Sequence, residues 1–236
     1  NISIPKLNTG RFEFFNYLRK DNKFRILDLR RFEMELNAGL YLDSNIPLGY
    51  GVGSSGALVA AVYDRFKLIE IEDTLKLKSF LASMENYFHG SSSGIDPLQC
   101  YFGKPFVLSQ QTTDNGQQSS FTILDNDFIS DDIHIFLLDT NIKSPTGPLV
   151  EHFKERRRDE KYLDKFNNEY VPLVSECIDC LVEKKDDEFF ANLLRLSTLQ
   201  LELLSHTIPD DYKEYFLKDI IENRQNKNRH NCGNSY

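Results

Sequence analysis

Residues Asn45 to Asp64 read NIPLGYGVGSSGALVAAVYD. Four glycines, Gly49, Gly51, Gly53 and Gly56, fall within eight positions, with Ser54 and Ser55 between the last two, and an apolar, helix-forming run follows. Glycine belongs where the backbone takes a positive φ or passes close to a ligand. A helix that starts directly after such a loop presents unpaired N–H groups and the positive end of its dipole, which together favour an anion. The two serines can cap that helix, donate to an anion or ligate a cation. A tight strand-to-helix turn with a serine cap would use the same residue types, but with fewer glycines. Phosphate binding is the expectation.

Three kinds of phosphate loop compete for this stretch. A Walker loop needs a lysine after its glycines, GxxxxGK[ST], and none follows here. Gly51, Gly53 and Gly56 satisfy the dinucleotide pattern GxGxxG, and Glu70 and Glu72 lie near the expected distance for a ribose contact. That pattern starts directly at the end of a strand, whereas Ile46, Pro47 and Leu48 intervene here. It also leaves a second constellation unexplained.

The second constellation is SMENYFHGSSSGIDP, residues 83–97. Glu85 falls in the last turn of a helix expected over about Asp73 to Phe88, where the helix dipole opposes a carboxylate by about 0.3–1 kcal/mol. It also borders the apolar stripe of Leu77, Phe80, Leu81, Met84 and Phe88. A carboxylate so placed either needs a cation or is a half-exposed surface glutamate. Asp96 follows a flexible SSSG turn and precedes Pro97, which biases it towards extended backbone on a loop. It can accept a proton from a substrate hydroxyl or orient that hydroxyl, although a lone aspartate there is more often a turn-former. Gly90, Ser92 and Gly94 satisfy the GxSxG nucleophile pattern, but a helix precedes them where that motif requires a strand.

The segment PLGYGVGSSGA, residues 47–57, resembles the P-x-G-x-G-L-G-S-S-A loop of the GHMP kinases, departing at Tyr50, Val52 and Gly56. Glu85, His89–Gly90, Ser93–Gly94 and Asp96 resemble the E-x-x-x-H-G-x-x-S-G-x-D stretch of the mevalonate kinases within that family. The resemblance implies an α+β, two-domain fold, with a ribosomal protein S5 second-domain-like N-terminal part and a ferredoxin-like helical/β C-terminal part. It implies that Gly49, Gly51, Gly53, Ser54, Ser55 and Gly56 hold the ATP phosphates. Ser55 and Glu85 would ligate Mg²⁺, and Asp96 would be the catalytic base facing the primary hydroxyl of mevalonate. His89 either shapes the loop or lies near substrate. DTNIKSPTGPLV, residues 139–150, resembles the family's T-x-x-x-x-x-T segment and makes Thr146 a candidate substrate contact, with a plain loop threonine as the alternative. Other members, such as phosphomevalonate kinase and diphosphomevalonate decarboxylase, reuse the glycine loop. A non-catalytic nucleotide-binding module and a dinucleotide-dependent oxidoreductase stand as the competing classes.

The resemblance spans about residues 40–105 most closely and fades after 150. The family's first strand, with its lysine and G-E pair, and its G-x-G-G-G loop are not found between NISIPKLNTG and NRHNCGNSY. The expectation is a portion of a longer kinase, with an ATP-binding domain over 1–130 and a C-terminal domain over 131–236. A shift from mixed elements to mainly helix near residue 130 supports that boundary.

The formal charge of −8 in 236 residues excludes general nucleic-acid binding, so an anion must be held by local geometry. No apolar run reaches the length of a membrane span, and the first residues lack a signal-peptide layout. A cytoplasmic protein with a small-molecule partner is expected; monomer and homodimer stay open. Cys177 and Cys180 form a CxxC on a helical pattern without a second pair, so plain thiols are expected over a metal or redox site.

The remaining periodicity predicts a short helix in RFEFFNYLRK, and strands at FRILDL, LYLDSNIP and DDIHIFLLDT. RRFEMELNAG fits helix and strand equally. A helix is expected over Ser54 to Phe66, a loop leading into extended segments over 89–108, and amphipathic helices over about 150–184 and 186–206, the first kinked or split at Pro172. The charge run KERRRDEK, residues 154–161, balances its signs and reads as a solvated helix face.

Overall fold

A computed structural model describes residues 10–47, 50–113, 116–125, 127–142 and 146–213. The chain divides into two compact units, Asn1–Asp125 with Asp139–Thr146, and Asn126–Leu138 with Gly147–Tyr236.

The first unit is α+β. Its elements are α1 (Arg11–Arg19), a 3-10 turn (Asn22–Ile26), α2 (Leu29–Asn37), α3 (Ser54–Phe66), α4 (Thr74–His89), α5 (Ile95–Phe102) and a hairpin of β1 (Phe106–Thr113) and β2 (Gly116–Ile123). Aromatic side chains fill its centre. Phe14, Phe15 and Leu18 turn one face of α1 inward, and Phe32 and Leu36 do so four residues apart on α2. Val59, Val62, Tyr63 and Phe66 of α3 meet Leu77, Leu81 and Met84 of α4 in the same core. The rings of Phe32 and Phe66 stack at 4.5 Å, and the Tyr17 hydroxyl donates to the Ser83 carbonyl at 2.7 Å. Side-chain caps define two helix starts. Asp28 accepts from the Arg31 N–H at 2.9 Å, and Asp73 accepts from the Lys76 N–H at 2.8 Å. In the antiparallel hairpin Phe106 stands opposite Ile123 and Leu108 opposite Phe121. Phe121 packs on Phe106 and on Phe102, which ties the hairpin to α5.

The helix over Ser54 to Phe66 and the Asp73-capped helix both form as the sequence predicts, and RRFEMELNAG resolves as the helix α2. Three expected strands do not form. FRILDL becomes a 3-10 turn that buries Phe24 completely, and only a single bridge, Leu27 to Lys67, survives from the strand pattern. Two bonds complete that junction, Asp28 N–H to Phe66 O at 2.7 Å and Leu68 N–H to Ile26 O at 2.8 Å. LYLDSNIP forms no ladder, and Asp43 makes just an isolated bridge. DDIHIFLLDT is irregular, with Phe136 and Leu137 88% and 83% exposed. A strand needs a neighbour for its N–H and C=O groups, and the hairpin is the only sheet among the described residues. A fourth difference concerns residues 89–108: the expected loop contains a helix, Ile95–Phe102, while the extended segment that it leads into forms from Phe106.

The second unit comprises α6 (Thr146–Arg156), α7 (Glu160–Lys165), a π turn (Phe166–Tyr170), α8 (Val171–Val182), α9 (Asp186–Leu203) and a 3-10 turn (Ser205–Thr207). Its described elements are all helical. Leu173 and Cys177 of α8 pack on Leu196 of α9, with Phe189 and Leu199 around them. Tyr162 is buried on α7 and donates to the Leu203 carbonyl at 3.4 Å. Pro172 falls immediately after the π turn. The missing proline N–H breaks the regular ladder there, and the widened turn absorbs the break without ending the helix. The run 154–161 is fully exposed, in keeping with its balanced charge.

Cys100, Cys177 and Cys180 are free thiols, and Cys232 lies outside the described residues. Among the described residues no helix is long and apolar enough to cross a membrane.

Phe66→Ala should lower the stability of the first unit by about 3–5 kcal/mol, because it removes a fully buried ring and its stacking partner's support; chemical denaturation monitored by tyrosine fluorescence measures this. Burial pushes the Cys177 thiol up to about 11. Its thiolate fraction at neutral pH is then on the order of 10⁻⁴. In the native protein Cys177 should resist a thiol reagent that labels it readily once the chain is unfolded, as peptide mass spectrometry of labelled samples would record.

Candidate functional site

The helix α3 begins at a glycine, not at a serine. Gly53 is the N-cap with φ +74°, and Gly51 before it has φ +69°. Both are left-handed conformations that a side chain disfavours. Ser54 and Ser55 therefore lie inside the first turn and cap nothing, contrary to one expected role, and the helix has no side-chain cap. Gly56 serves a different need. A Cβ there would stand 2.8 Å from the Asp96 carbonyl carbon and from the Pro97 nitrogen, so its absence lets the first turns of α3 and α5 touch.

The helix α5 repeats the same construction. Gly94 is its N-cap at φ +74°, again without a side-chain cap. A Cβ on Gly94 would collide with the Lys78 carbonyl of α4 at 2.2 Å, so this turn is pressed onto α4. Asp96 and Pro97 occupy the second and third helical positions. Proline is tolerated there because a first-turn N–H has no intrahelical acceptor to lose. That local allowance overrides the extended bias that Pro97 places on Asp96, and Asp96 sits in a helical first turn, exposed, rather than on a loop. Two helix N-termini, each entered through a left-handed glycine, thus meet at Gly56 and Asp96, and their dipoles point positive ends at one place.

Glu85 lies beside this junction. It is not the half-exposed surface glutamate of the simpler reading but a buried side chain, 4% exposed. Its Oε1 accepts from the Ser55 hydroxyl at 2.8 Å, and its Oε2 accepts from the Ser92 hydroxyl. Ser92 Oγ in turn accepts from the Gly94 N–H at 2.9 Å. His89, exposed at the end of α4, brings Nε2 to 2.9 Å from Ser55 Oγ. Because the single Ser55 proton goes to Glu85, its oxygen is left to accept, and the His89 Nε2 must carry a hydrogen. Among the described residues no lysine or arginine pairs with Glu85, so two hydroxyls alone satisfy its charge. The Cys100 thiol is pushed up by burial first, and then by the negative charges of Asp96 and Glu85, which places both carboxylates within electrostatic reach of one group.

Ser55, Glu85, His89, Ser54, Gly51, Gly53, Gly56 and Asp96 are thus gathered around the start of α3. Gly49 lies outside the described residues, as does the side chain of Thr146, whose backbone opens α6. Ser92 was missed as a site residue because its role depends on the serine turn folding back onto α4. Its place in the sequence, within three consecutive serines, does not single it out.

The donor set suits a hard cation. Among the described residues there is no group of three or more His, Cys, Asp or Glu side chains that would cage a metal. Mg²⁺ does not need one, since it commonly takes one or two protein oxygens and fills its octahedron with water and substrate phosphates. Two adjacent ligands at about 2.1 Å from such an ion stand about 3 Å apart. The Ser55 Oγ to Glu85 Oε1 separation of 2.8 Å is close to that.

Residues 16–104 match the family model described as the GHMP kinases N terminal domain. The matched stretch is less than half of the chain and contains both the glycine loop and the Glu85–Asp96 segment. No curated protein and no solved structure matches the chain.

Gly56→Ala should destabilise the first unit by about 1–3 kcal/mol through overpacking against Asp96 and Pro97, with no left-handed φ to blame. A drop in thermal midpoint larger than that of Ala57→Gly in the same helix would be the expected calorimetric result.

Proposed function

We propose that this chain carries the nucleotide-binding and phosphoryl-transfer machinery of an ATP-dependent small-molecule kinase of the GHMP type, with mevalonate as acceptor. One observation carries the reading. The buried Glu85 carboxylate is hydrogen-bonded to Ser55 at the mouth of an uncapped, glycine-entered helix, with Asp96 packed against the same first turn. The similarity of residues 16–104 to the N-terminal GHMP kinase domain supports the reaction class. The choice of mevalonate rests on the HGSSSGID segment alone.

In this reading the amides of the first turn of α3 hold the triphosphate, and the positive φ of Gly51 and Gly53 turns the loop backbone towards it. Ser55 and Glu85 would hold Mg²⁺, which would supply charge neutralisation to the triphosphate. Glu85 needs little rearrangement, because its carboxylate is already fixed on both oxygens. Asp96 accepts the proton of the primary hydroxyl, or orients it, as the oxygen attacks the γ-phosphorus in line and the terminal bridging bond breaks to release ADP. Its exposure leaves the carboxylate open to an incoming substrate, and its backbone is held by Pro97 and by contact with Gly56. The hydrogen-bonded Ser92–Gly94 turn links Glu85 to the start of α5, so the metal ligand and the base share one support.

The test is transfer of labelled γ-phosphate from Mg-ATP to mevalonate, with homoserine, galactose and phosphomevalonate as competing acceptors. Asp96→Asn should lower kcat by about 10²–10⁴ while nucleotide binding persists, the range lost with a general base. Glu85→Gln should raise the Mg²⁺ concentration needed for half-maximal rate. Nucleotide binding with no transfer to any acceptor would favour a binding module. A wild-type rate in Asp96→Asn would remove the assigned base.

A further inference from the structure

A concavity of the first unit, lined by none of Ser55, Glu85 and Asp96, lies between α1, α2, α3 and residues 40–42. It encloses about 190 Å³. Its walls are apolar, with Phe14, Leu36, Leu58 and Val62 among them, and two arginines, Arg11 and Arg65, complete the lining. An apolar cavity of ~150 Å³ is enough to take up a benzene ring. Pockets that combine apolar walls with a few fixed polar groups are the usual form of a small-molecule site.

The two arginines decide what would enter. Arg65 donates through Nε to Glu35 Oε2 at 2.7 Å, and Arg31 donates to the other oxygen of the same carboxylate at 2.8 Å. Those two guanidiniums therefore share a single negative charge. Arg11 has none. On this half-buried side chain the Nε is buried without a hydrogen-bond partner, and among the described residues its guanidinium makes a single ring contact, 5.5 Å over Phe12. A buried N–H without an acceptor costs free energy that an incoming anion would recover. Among the described residues no aspartate or glutamate lines the cavity. The concavity is thus electropositive in a chain whose net charge is −8.

We infer that this concavity is a binding site for a small hydrophobic monocarboxylate, an aryl or short alkyl acid. The hydrocarbon part lies among Phe14, Leu36, Leu58 and Val62, and the carboxylate accepts from Arg11, with Arg65 as the second donor. The inference is independent of the kinase reading, since none of these residues belongs to the Ser55–Glu85–Asp96 group.

Calorimetric titration of the full chain with benzoate and hexanoate, each paired with its uncharged amide, tests it. The acids should bind saturably and at least about tenfold tighter than the amides, the difference expected of one charge-assisted hydrogen bond. Arg11→Gln should bring the acids to the affinity of the amides. Ala61→Phe, placed on an exposed lining position, should abolish binding of acid and amide alike while the thermal midpoint shows the chain still folded. Glu35→Gln frees the Arg65 guanidinium and should tighten the acids but not the amides. No saturable binding at millimolar acid, equal affinities for acid and amide, or binding that survives Ala61→Phe would each overturn the assignment.

Discussion

A carboxylate taken out of water must find donors, and among the described residues Glu85 finds two hydroxyls and no basic side chain. Around that requirement the first unit is arranged. Ser55 fixes the beginning of α3 to α4, and Ser92 fixes the serine turn to α4. Through the Gly94 N–H the same turn starts α5. Removing one hydroxyl would leave a buried oxygen unsatisfied, which is costlier than losing an ordinary surface hydrogen bond. The close approach at Gly56 and the pressed turn at Gly94 are the steric side of the same constraint. Neither helix could sit where it does if those positions carried a side chain.

In the proposed reading the same geometry lets a strongly acidic chain present an anion site. Net charge acts at long range and is screened over roughly 8 Å at physiological salt. Helix-terminal amides act at contact distance. The first turn of α3 leaves its amides without a side-chain cap. At α5 the Ser93 hydroxyl accepts from the Ile95 N–H and the Asp96 carboxylate stands in the first turn, so in the proposed reading α3 is the terminus that attracts a phosphate. The apolar concavity lined by Arg11 and Arg65 follows the opposite logic, with full charges held against hydrocarbon walls.

Much of the first unit could be read from local signals. The span of α3 followed from an unbroken apolar run after glycines, and the start of α4 from Asp73, because propensity, capping and burial agree at those places. The pairing of Ser55 with Glu85 was foreshadowed by motif, although their direct hydrogen bond depends on how α3 and α4 pack. The failures have particular causes. FRILDL has the composition of a strand, yet Phe24 is buried by a tight turn capped from Asp21, whose carboxylate accepts from the Lys23 N–H at 3.0 Å. DDIHIFLLDT is apolar enough for a strand, but pairing is a property of two segments and periodicity describes one. The general preference of a residue before proline points Asp96 to extended backbone. In α5 it is helical all the same, with Asp96 and Pro97 packed against Gly56 of α3.

The π turn at Phe166–Tyr170 has a bearing on how the second unit tolerates change. One surplus residue is lodged there, so the faces of α7 and α8 are out of phase by roughly a residue's worth of rotation, about 100°. Tyr162, Phe166 and Tyr170 nevertheless stay in a ladder of neighbouring rings, at 6.1 and 5.1 Å. Excising a single amino acid from this turn would leave the helix intact as a helix but swing Leu173 and Cys177 off their seat against Leu196. Excisions of that kind should therefore be far less tolerable than substitutions at the same positions, a pattern opposite to that of a surface loop.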